Sequence, residues 1–206
     1  MQTQSSALGE LFPPEPVQLL EDAEGGIVYH PGAATPAQAQ RWYEGLRPLL
    51  PWRSEERPMY DRIVAVPRLM ASVALDDPSR PALLDEALAA VKAVAPAGYT
   101  RAGFNLYRDG QDSVAMHGDR VGDLAAGQPI AILSLGAARD MLIQPRPGIG
   151  RTTPRRGLRI GLPPGSVLVM SHASQRTHLH GIPKSSEPVG PRISIAFRVR
   201  LAVVGR

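Results

Sequence analysis

His117 and Asp119 are separated only by Gly118. In extended backbone, residues two apart project to the same side, so both side chains can reach one metal ion. Two imidazoles and one carboxylate form the facial set that holds non-haem Fe(II) with coordination positions left open, and the chemistry such a set supports is O₂ activation. His172, His178 and His180 compete to supply the second imidazole. His178 and His180 share a face of an extended segment, so spacing alone does not choose between them. His172 closes an apolar run and reads as a hydrogen-bonded loop or core histidine, while His30, beside Pro31, reads as a surface residue.

A second set lies near the C-terminus. From Arg192 to Leu201 the chain alternates, with Ile193, Ile195, Phe197 and Val199 on one face and Arg192, Ser194, Ala196, Arg198 and Arg200 on the other. Guanidinium groups turned into a barrel are costly unless they meet anions. Six residues of strand span about 20 Å, and the inward reach of Arg192 and Arg198 narrows that gap to the size of a five-carbon dicarboxylate. Asn105 and Tyr107 share a face opposite Phe104 and Leu106, offering an amide and a phenol to complete the hydrogen bonding of carboxylate oxygens.

The elements that must position these groups are mostly strands. Alternating runs at 102–108, 114–117, 130–136, 140–144, 157–162, 166–171, 177–180 and 191–201 follow two helical segments. The first helix begins at Pro36, capped by Thr35, and runs to Leu50 with Trp42, Leu46 and Leu49 or Leu50 inward. The second spans Pro81 to Val94, with Leu84, Leu88, Val91 and Ala95 on one face. Short strands are expected at 26–30 and at 62–66, before Pro67, with surface loops at 145–154 and 183–191. The fold class is mostly β (α+β), a double-sheet jelly roll backed by N-terminal helices. One domain over 1–206 is expected: a loose lead-in at 1–16, helical and substrate-lid support at 17–100, and the catalytic core at 101–206.

Composition narrows the chemistry. The absence of cysteine excludes disulfides, thiolate zinc sites and a cysteine nucleophile. The net charge of +4 hides an asymmetry, because residues 139–206 hold 12 basic and 2 acidic side chains. Such a basic third predicts a surface that attracts polyanions. The first twenty residues show no basic and apolar leader, and no apolar run reaches spanning length, so a cytoplasmic monomer without a membrane partner is expected.

With these residues in place the chain resembles a known family. Asn105-Leu-Tyr-Arg-Asp-Gly followed by His117-Gly-Asp119 resembles the AlkB family of Fe(II)- and 2-oxoglutarate-dependent dioxygenases. So do Gly165-Ser-Val-Leu-Val-Met-Ser-His172, Thr177-His-Leu-His180-Gly-Ile-Pro and Pro191-Arg192-Ile-Ser-Ile-Ala-Phe-Arg198. The likeness covers about residues 60–200. It implies a double-stranded β-helix, His117, Asp119 and His180 as iron ligands, and Asn105, Tyr107, Arg192 and Arg198 as 2-oxoglutarate contacts. Arg139-Asp140 and the non-ligand His172 are similar to the family's DNA-repair branch. Met59-Tyr60 through Val66-Pro67-Arg68 is similar to that branch's base-flipping hairpin, which makes Tyr60, Arg68 and Arg139 substrate contacts.

The implied activity is oxidative demethylation of N-alkylated bases in DNA or RNA with Fe(II), 2-oxoglutarate and O₂, releasing formaldehyde, succinate and CO₂. Three departures bear on the substrate. Val121 stands where repair members carry an acidic residue that reads the flipped base, and Arg120 precedes it. The Tyr- and Gly-rich lid expected after Val66-Pro67-Arg68 is nearly absent, and Ser194 replaces a common asparagine. The alternatives are the same chemistry on a small metabolite or protein side chain, or a nucleic-acid-binding module with a vestigial metal pocket.

Overall fold

The computed structural model describes residues 14–59, 62–148 and 157–201, with backbone alone over 57–59 and 62–65. Helix α1 (Pro36–Leu49) starts as its sequence predicts. Thr35 Oγ1 accepts from the Gln38 amide, and the Gln38 side chain accepts in return from the Thr35 amide, satisfying two orphan donors reciprocally. Ala39, Trp42 and Leu46 are buried, and Leu50 rather than Leu49 completes that face. Helix α2 (Ala82–Val94) buries Leu84, Ala87 and Val91, with Leu88 at the margin. Glu86 of α2 accepts from both Arg41 and the Trp42 indole of α1, so the two helices are fastened at their polar edge.

The strands are β1 (Val17–Leu20), β2 (Ile27–His30), β3 (Arg53–Met59), β4 (Arg62–Ala74), β5 (Arg101–Tyr107), β6 (Val114–His117), β7 (Ile130–Gly136), β8 (Arg139–Pro145), β9 (Leu158–Leu162), β10 (Val167–Met170), β11 (His178–Ile182) and β12 (Arg192–Arg198), with a single turn α3 (Ser174–Thr177) before β11. They form an eight-stranded sheet in the order β1-β2-β10-β7-β12-β5-β4-β3 and a four-stranded sheet in the order β6-β11-β8-β9. All pairings between strands are antiparallel. The expected mostly-β architecture is therefore present, with the strands from residue 101 onward within a few residues of their predicted limits.

Alternation on the large sheet serves two cores. Phe104, Leu106, Leu133, Leu135, Ile193, Ile195 and Phe197 face the helices together with Trp42, Leu46 and Leu84. On the opposite face, Ile132, Leu168, Met170 and Ala196 meet Met141, Ile143, Leu162 and Ile182 from the small sheet. Each fully buried side chain of this size contributes about 1.5–3 kcal/mol by leaving water. The polar residues of β5, β7 and β12 share the second face, so the fold turns them into the space between the sheets.

Three elements differ from the sequence expectation. β1 is an added edge strand, and β3 is rich in charge with no apolar alternation to betray it. β4 does not stop before Pro67 but continues to Ala74. Its pairing with β3 shifts register between Ser54 and Glu56, opposite the stretch holding Pro67, and its pairing with β5 starts only at Leu69. A proline at an unpaired bulge removes no ladder bond, so the strand runs through it. The expected lead-in lies largely in 1–13, outside the described residues, as does 149–154 of the expected 145–154 loop. Residues 183–191 form the connection from β11 to β12. No helix among the described residues is long and apolar enough to cross a membrane.

Candidate metal centre and diacid pocket

β6 and β11 bring the two imidazoles together. His180 is the direct register partner of His117 across the antiparallel ladder, and their ring centroids lie 4.5 Å apart. Asp119 follows where β6 ends, and the ligand atoms of His117, Asp119 and His180 all lie within 4.8 Å of one another. His178 and His172 are outside this group. His178 lies two residues back on β11, with Nδ1 2.9 Å from Thr177 Oγ1. His172 is buried with Nδ1 4.0 Å from Glu24.

Each member of the trio is held by a neighbour. His117 Nδ1 faces the Ala115 carbonyl at 2.9 Å; a carbonyl only accepts, so Nδ1 carries the proton and Nε2 is left for a metal. Burial, with help from His117, Arg198 and Arg146 and against Asp119, pushes the His180 pKa down to about 4. That ring is a neutral ligand at neutral pH. Burial would raise the Asp119 carboxyl, but Arg198 and the two imidazoles outweigh it and hold the pKa below its ordinary value. Arg198 Nε donates to Asp119 Oδ2 at 2.7 Å, fixing the carboxylate while leaving Oδ1.

The backbone around the trio is close-packed. A β-carbon at Gly118 would run into Arg146 Nη2 and come within 2.8 Å of the Gln175 carbonyl. One at Gly181 would come within 2.9 Å of the Val114 carbonyl. Gln175 Oε1 accepts from the Asp119 amide at 3.1 Å, and its carbonyl accepts from Arg146 Nη2 at 3.0 Å. Turn α3, just before β11, is thereby tied to the loop that carries Asp119. Sequence reading missed Gln175 and Arg146, since neither stands in a pattern that marks it.

Six residues before Arg198, on the same face of β12, stands Arg192. Arg192 is fully buried; its Nη2 donates to Ser134 Oγ at 2.9 Å, while Nε and Nη1 have no hydrogen-bond partner among the described residues. Burial lowers its pKa, with Arg139 acting in the same direction and Tyr107 opposing. A dry guanidinium with two unpaired nitrogens costs several kcal/mol unless an anion meets it, which is the donor set a diacid's far carboxylate requires. Its carbon lies 5.3 Å from the centroid of the Tyr107 ring. Burial raises the Tyr107 pKa despite the surrounding Arg192, Arg68 and Arg139, so the phenol remains a donor. Between Arg192 and Arg198 the same strand face carries only Ser194 and Ala196, paired with Asn105 and Gly103 on β5. Ser134, the one polar interruption in an apolar face of β7, was legible in the sequence and overlooked.

Other predicted site residues fall as follows. Asn105, Arg68 and Arg198 line a cleft of about 1060 Å³ together with His117 and Asp119. Arg68 Nε donates to Asn105 Oδ1 at 2.7 Å, so that amide oxygen is already occupied. Of the expected arginine clamp, Arg198 donates through Nε to Asp119 and through Nη1 to the Ala196 carbonyl at 3.4 Å, while Arg192 holds two buried nitrogens without a hydrogen-bond partner among the described residues. Arg139 does not line the cleft. It is buried and donates to the carbonyls of Asp109, Asp112 and Pro183 at 2.9, 2.9 and 2.6 Å, which makes it a brace for the loops at the end of β5 and β11. Tyr60 lies outside the described residues.

A family model described as the 2OG-Fe(II) oxygenase superfamily matches residues 26–198, which span both sheets and the whole site. The chain belongs to this superfamily. Among curated relatives, this oxygenase is 36% identical over 104 residues to the DNA oxidative demethylase ALKBH2 of Bos taurus, an alignment covering 50% of this chain and 37% of that protein. It is 35% identical over 96 residues to the Homo sapiens ALKBH2, covering 46% and 37%. The Mus musculus alpha-ketoglutarate-dependent dioxygenase alkB homolog 3 is 35% identical over 97 residues, covering 46% and 34%. The oxygenase thus spans little more than a third of the curated relatives it matches. The solved structure of OsALKBH1 superposes with a TM-score of 0.59 at 15% identity, covering 84% of this chain and 97% of that one, which is a likeness of fold. The superfamily's Fe(II) and 2-oxoglutarate fit the residues present: two imidazoles and a carboxylate for the metal, and an orphaned guanidinium for the diacid.

Proposed function

We infer that this oxygenase couples 2-oxoglutarate oxidation to demethylation of N-alkylated bases in DNA or RNA, as its relatives named DNA oxidative demethylases do on DNA. The observation that carries the reading is the convergence of His117, Asp119 and His180 beside an enclosed Arg192 with two unpaired nitrogens. When bound, ferrous iron supplies O₂ activation coupled to decarboxylation of 2-oxoglutarate to succinate and CO₂. The chain's own part is positioning. His117 presents Nε2, His180 stays neutral, and Asp119 is oriented by Arg198 and by the Gln175 amide. Arg192 and the Tyr107 phenol receive the far carboxylate in a space closed to water.

The open cleft in front of Asp119 is large enough to admit a base flipped out of its stack. One O₂ supplies one oxygen atom to succinate and one to the methyl group; the N-hydroxymethyl product then releases formaldehyde and leaves the unmodified base. Arg120, Lys184 and Arg200 line the cleft and are exposed, suiting them to phosphates. The test is formaldehyde release from methylated oligonucleotides, single- and double-stranded, with Fe(II), 2-oxoglutarate and O₂. Release in step with succinate is expected. Succinate formation without formaldehyde from every lesion would remove the nucleic-acid reading and leave a small acidic metabolite or a protein side chain as substrate.

A further inference from the structure

The cleft is rich in donors and cations and poor in acceptors. Five cationic side chains line it (Arg68, Arg120, Lys184, Arg198 and Arg200) against two carboxylates, Asp119 and Asp123. Both carboxylates are engaged, Asp119 by Arg198 at 2.7 Å and Asp123 by Arg200 at 3.7 Å. Of the other side-chain oxygens lining it, Asn105 Oδ1 accepts from Arg68 and Ser72 Oγ from Arg101 at 3.3 Å, which leaves the neutral Ser113 hydroxyl. Arg120 and Lys184 make no ion pair or side-chain hydrogen bond among the described residues. Arg120 follows Asp119 directly, which places a cation at the entrance nearest the metal trio.

This charge pattern discriminates between two chemical classes of methylated base. 1-Methyladenine and 3-methylcytosine carry a formal positive charge at neutral pH and present an amino donor beside the methylated nitrogen. 1-Methylguanine and 3-methylthymine are neutral; the first presents one carbonyl acceptor beside the methylated nitrogen and the second presents two. A cationic ring entering this cleft would meet cations, and the two carboxylates among the lining residues are already engaged. A neutral ring would instead offer carbonyl oxygens to Arg120, Lys184 or the Arg68–Asn105 pair.

We propose that the oxygenase selects uncharged, carbonyl-bearing N-methyl bases over cationic ones. The proposal rests on the demethylase reading and names its substrate class. The test uses the full chain with Fe(II) and 2-oxoglutarate, and four oligonucleotides identical except for a single 1-methyladenine, 3-methylcytosine, 1-methylguanine or 3-methylthymine. Formaldehyde and succinate are followed together at neutral pH. The expected kcat/KM for the neutral pair exceeds that for the cationic pair at least tenfold. Arg120→Glu, which replaces the nearest free cation by a carboxylate, narrows that ratio at least tenfold. Arg120→Gln, which only removes the charge, narrows it by a smaller factor and serves if the reversal of charge disturbs folding. Equal or better turnover of the cationic lesions by the unaltered protein overturns the selectivity while leaving demethylation standing. Succinate with no formaldehyde from any of the four overturns both.

Discussion

The inner and outer ends of the site are built on opposite principles. At the inner end, Arg192 is buried with one hydrogen bond and two nitrogens without a hydrogen-bond partner among the described residues, a donor set suited to one anion. At the outer end, five cations and two engaged carboxylates line an open cleft, where no single group fixes a ligand. A dry, under-satisfied guanidinium stores specificity for one molecule at a cost in stability. A wet, multiply charged mouth gives selectivity by summed field and tolerates varied shapes. The metal trio lies between, held by backbone contacts at Gly118 and Gly181 rather than by charge alone.

Removing the inner guanidinium separates the two principles most sharply. Arg192→Met lowers kcat/KM for 2-oxoglutarate by more than about 100-fold, because the far carboxylate loses its charge-assisted bonds. The same substitution raises stability, measured by denaturant titration without 2-oxoglutarate, by about 1–3 kcal/mol as a buried unpaired charge disappears. A variant that loses both activity and stability would show that Arg192 is a structural support.

Loosening the trio comes next. Gly118→Ala forces Arg146 and the Gln175 carbonyl aside and weakens anaerobic metal binding by roughly 10- to 100-fold. Gln175→Leu removes the acceptor for the Asp119 amide, together with the Gln175 Nε2 contacts to Met170 Sδ and Ser174 Oγ, and weakens metal binding by roughly tenfold, with the helical core unchanged. Isothermal titration with Mn(II) reads both, and unchanged affinity in Gly118→Ala would refute the close-packing argument.

At the mouth the effects are smaller and depend on salt. Arg120→Ala and Lys184→Ala each weaken oligonucleotide binding a few-fold and reduce the slope of log K against log salt by about 1, leaving the KM for 2-oxoglutarate unchanged. A change in that KM would mean the two ends are not independent. Smallest is a pH effect in the loop before β6. Arg108, by hydrogen bond and charge, lowers the Asp112 pKa against the opposing pull of burial. A lowered folded pKa contributes stability above the unfolded value of about 3.9 that is lost as pH falls through the folded value. Asp112→Asn therefore flattens the acid limb of the stability profile, by less than about 1 kcal/mol since the Arg108 side chain is half exposed. An unchanged acid limb would remove that ion pair from the account.

Much of this arrangement was legible before the fold. Period-two alternation placed the strands from 101 onward, and it placed Arg192, Ser194, Ala196 and Arg198 on one face because a pleat leaves no other choice. The second imidazole was not decidable by face, since His178 and His180 share one; the register of β11 against β6 sets His180 opposite His117. The basic last third divides between surface and interior: Arg159, Arg176, Lys184 and Arg200 are exposed. Arg139, Arg146, Arg192 and Arg198 turn inward onto carbonyls, Ser134 and Asp119, while Arg159 pairs with Asp140. Composition counts charges but does not say which side of a sheet they face. A strand at 62–66 was expected, but β3 and the continuation of β4 to Ala74 were missed because pairing on a neighbouring edge, rather than apolar alternation, makes those residues strands.

The most direct test of the account is the weak visible charge-transfer absorption expected when Fe(II) and 2-oxoglutarate are added without oxygen. It should develop in the unaltered protein and in His178→Ala, and be lost in His180→Ala. A band that survives in His180→Ala but disappears in His178→Ala would contradict the assignment of the metal to His117, Asp119 and His180.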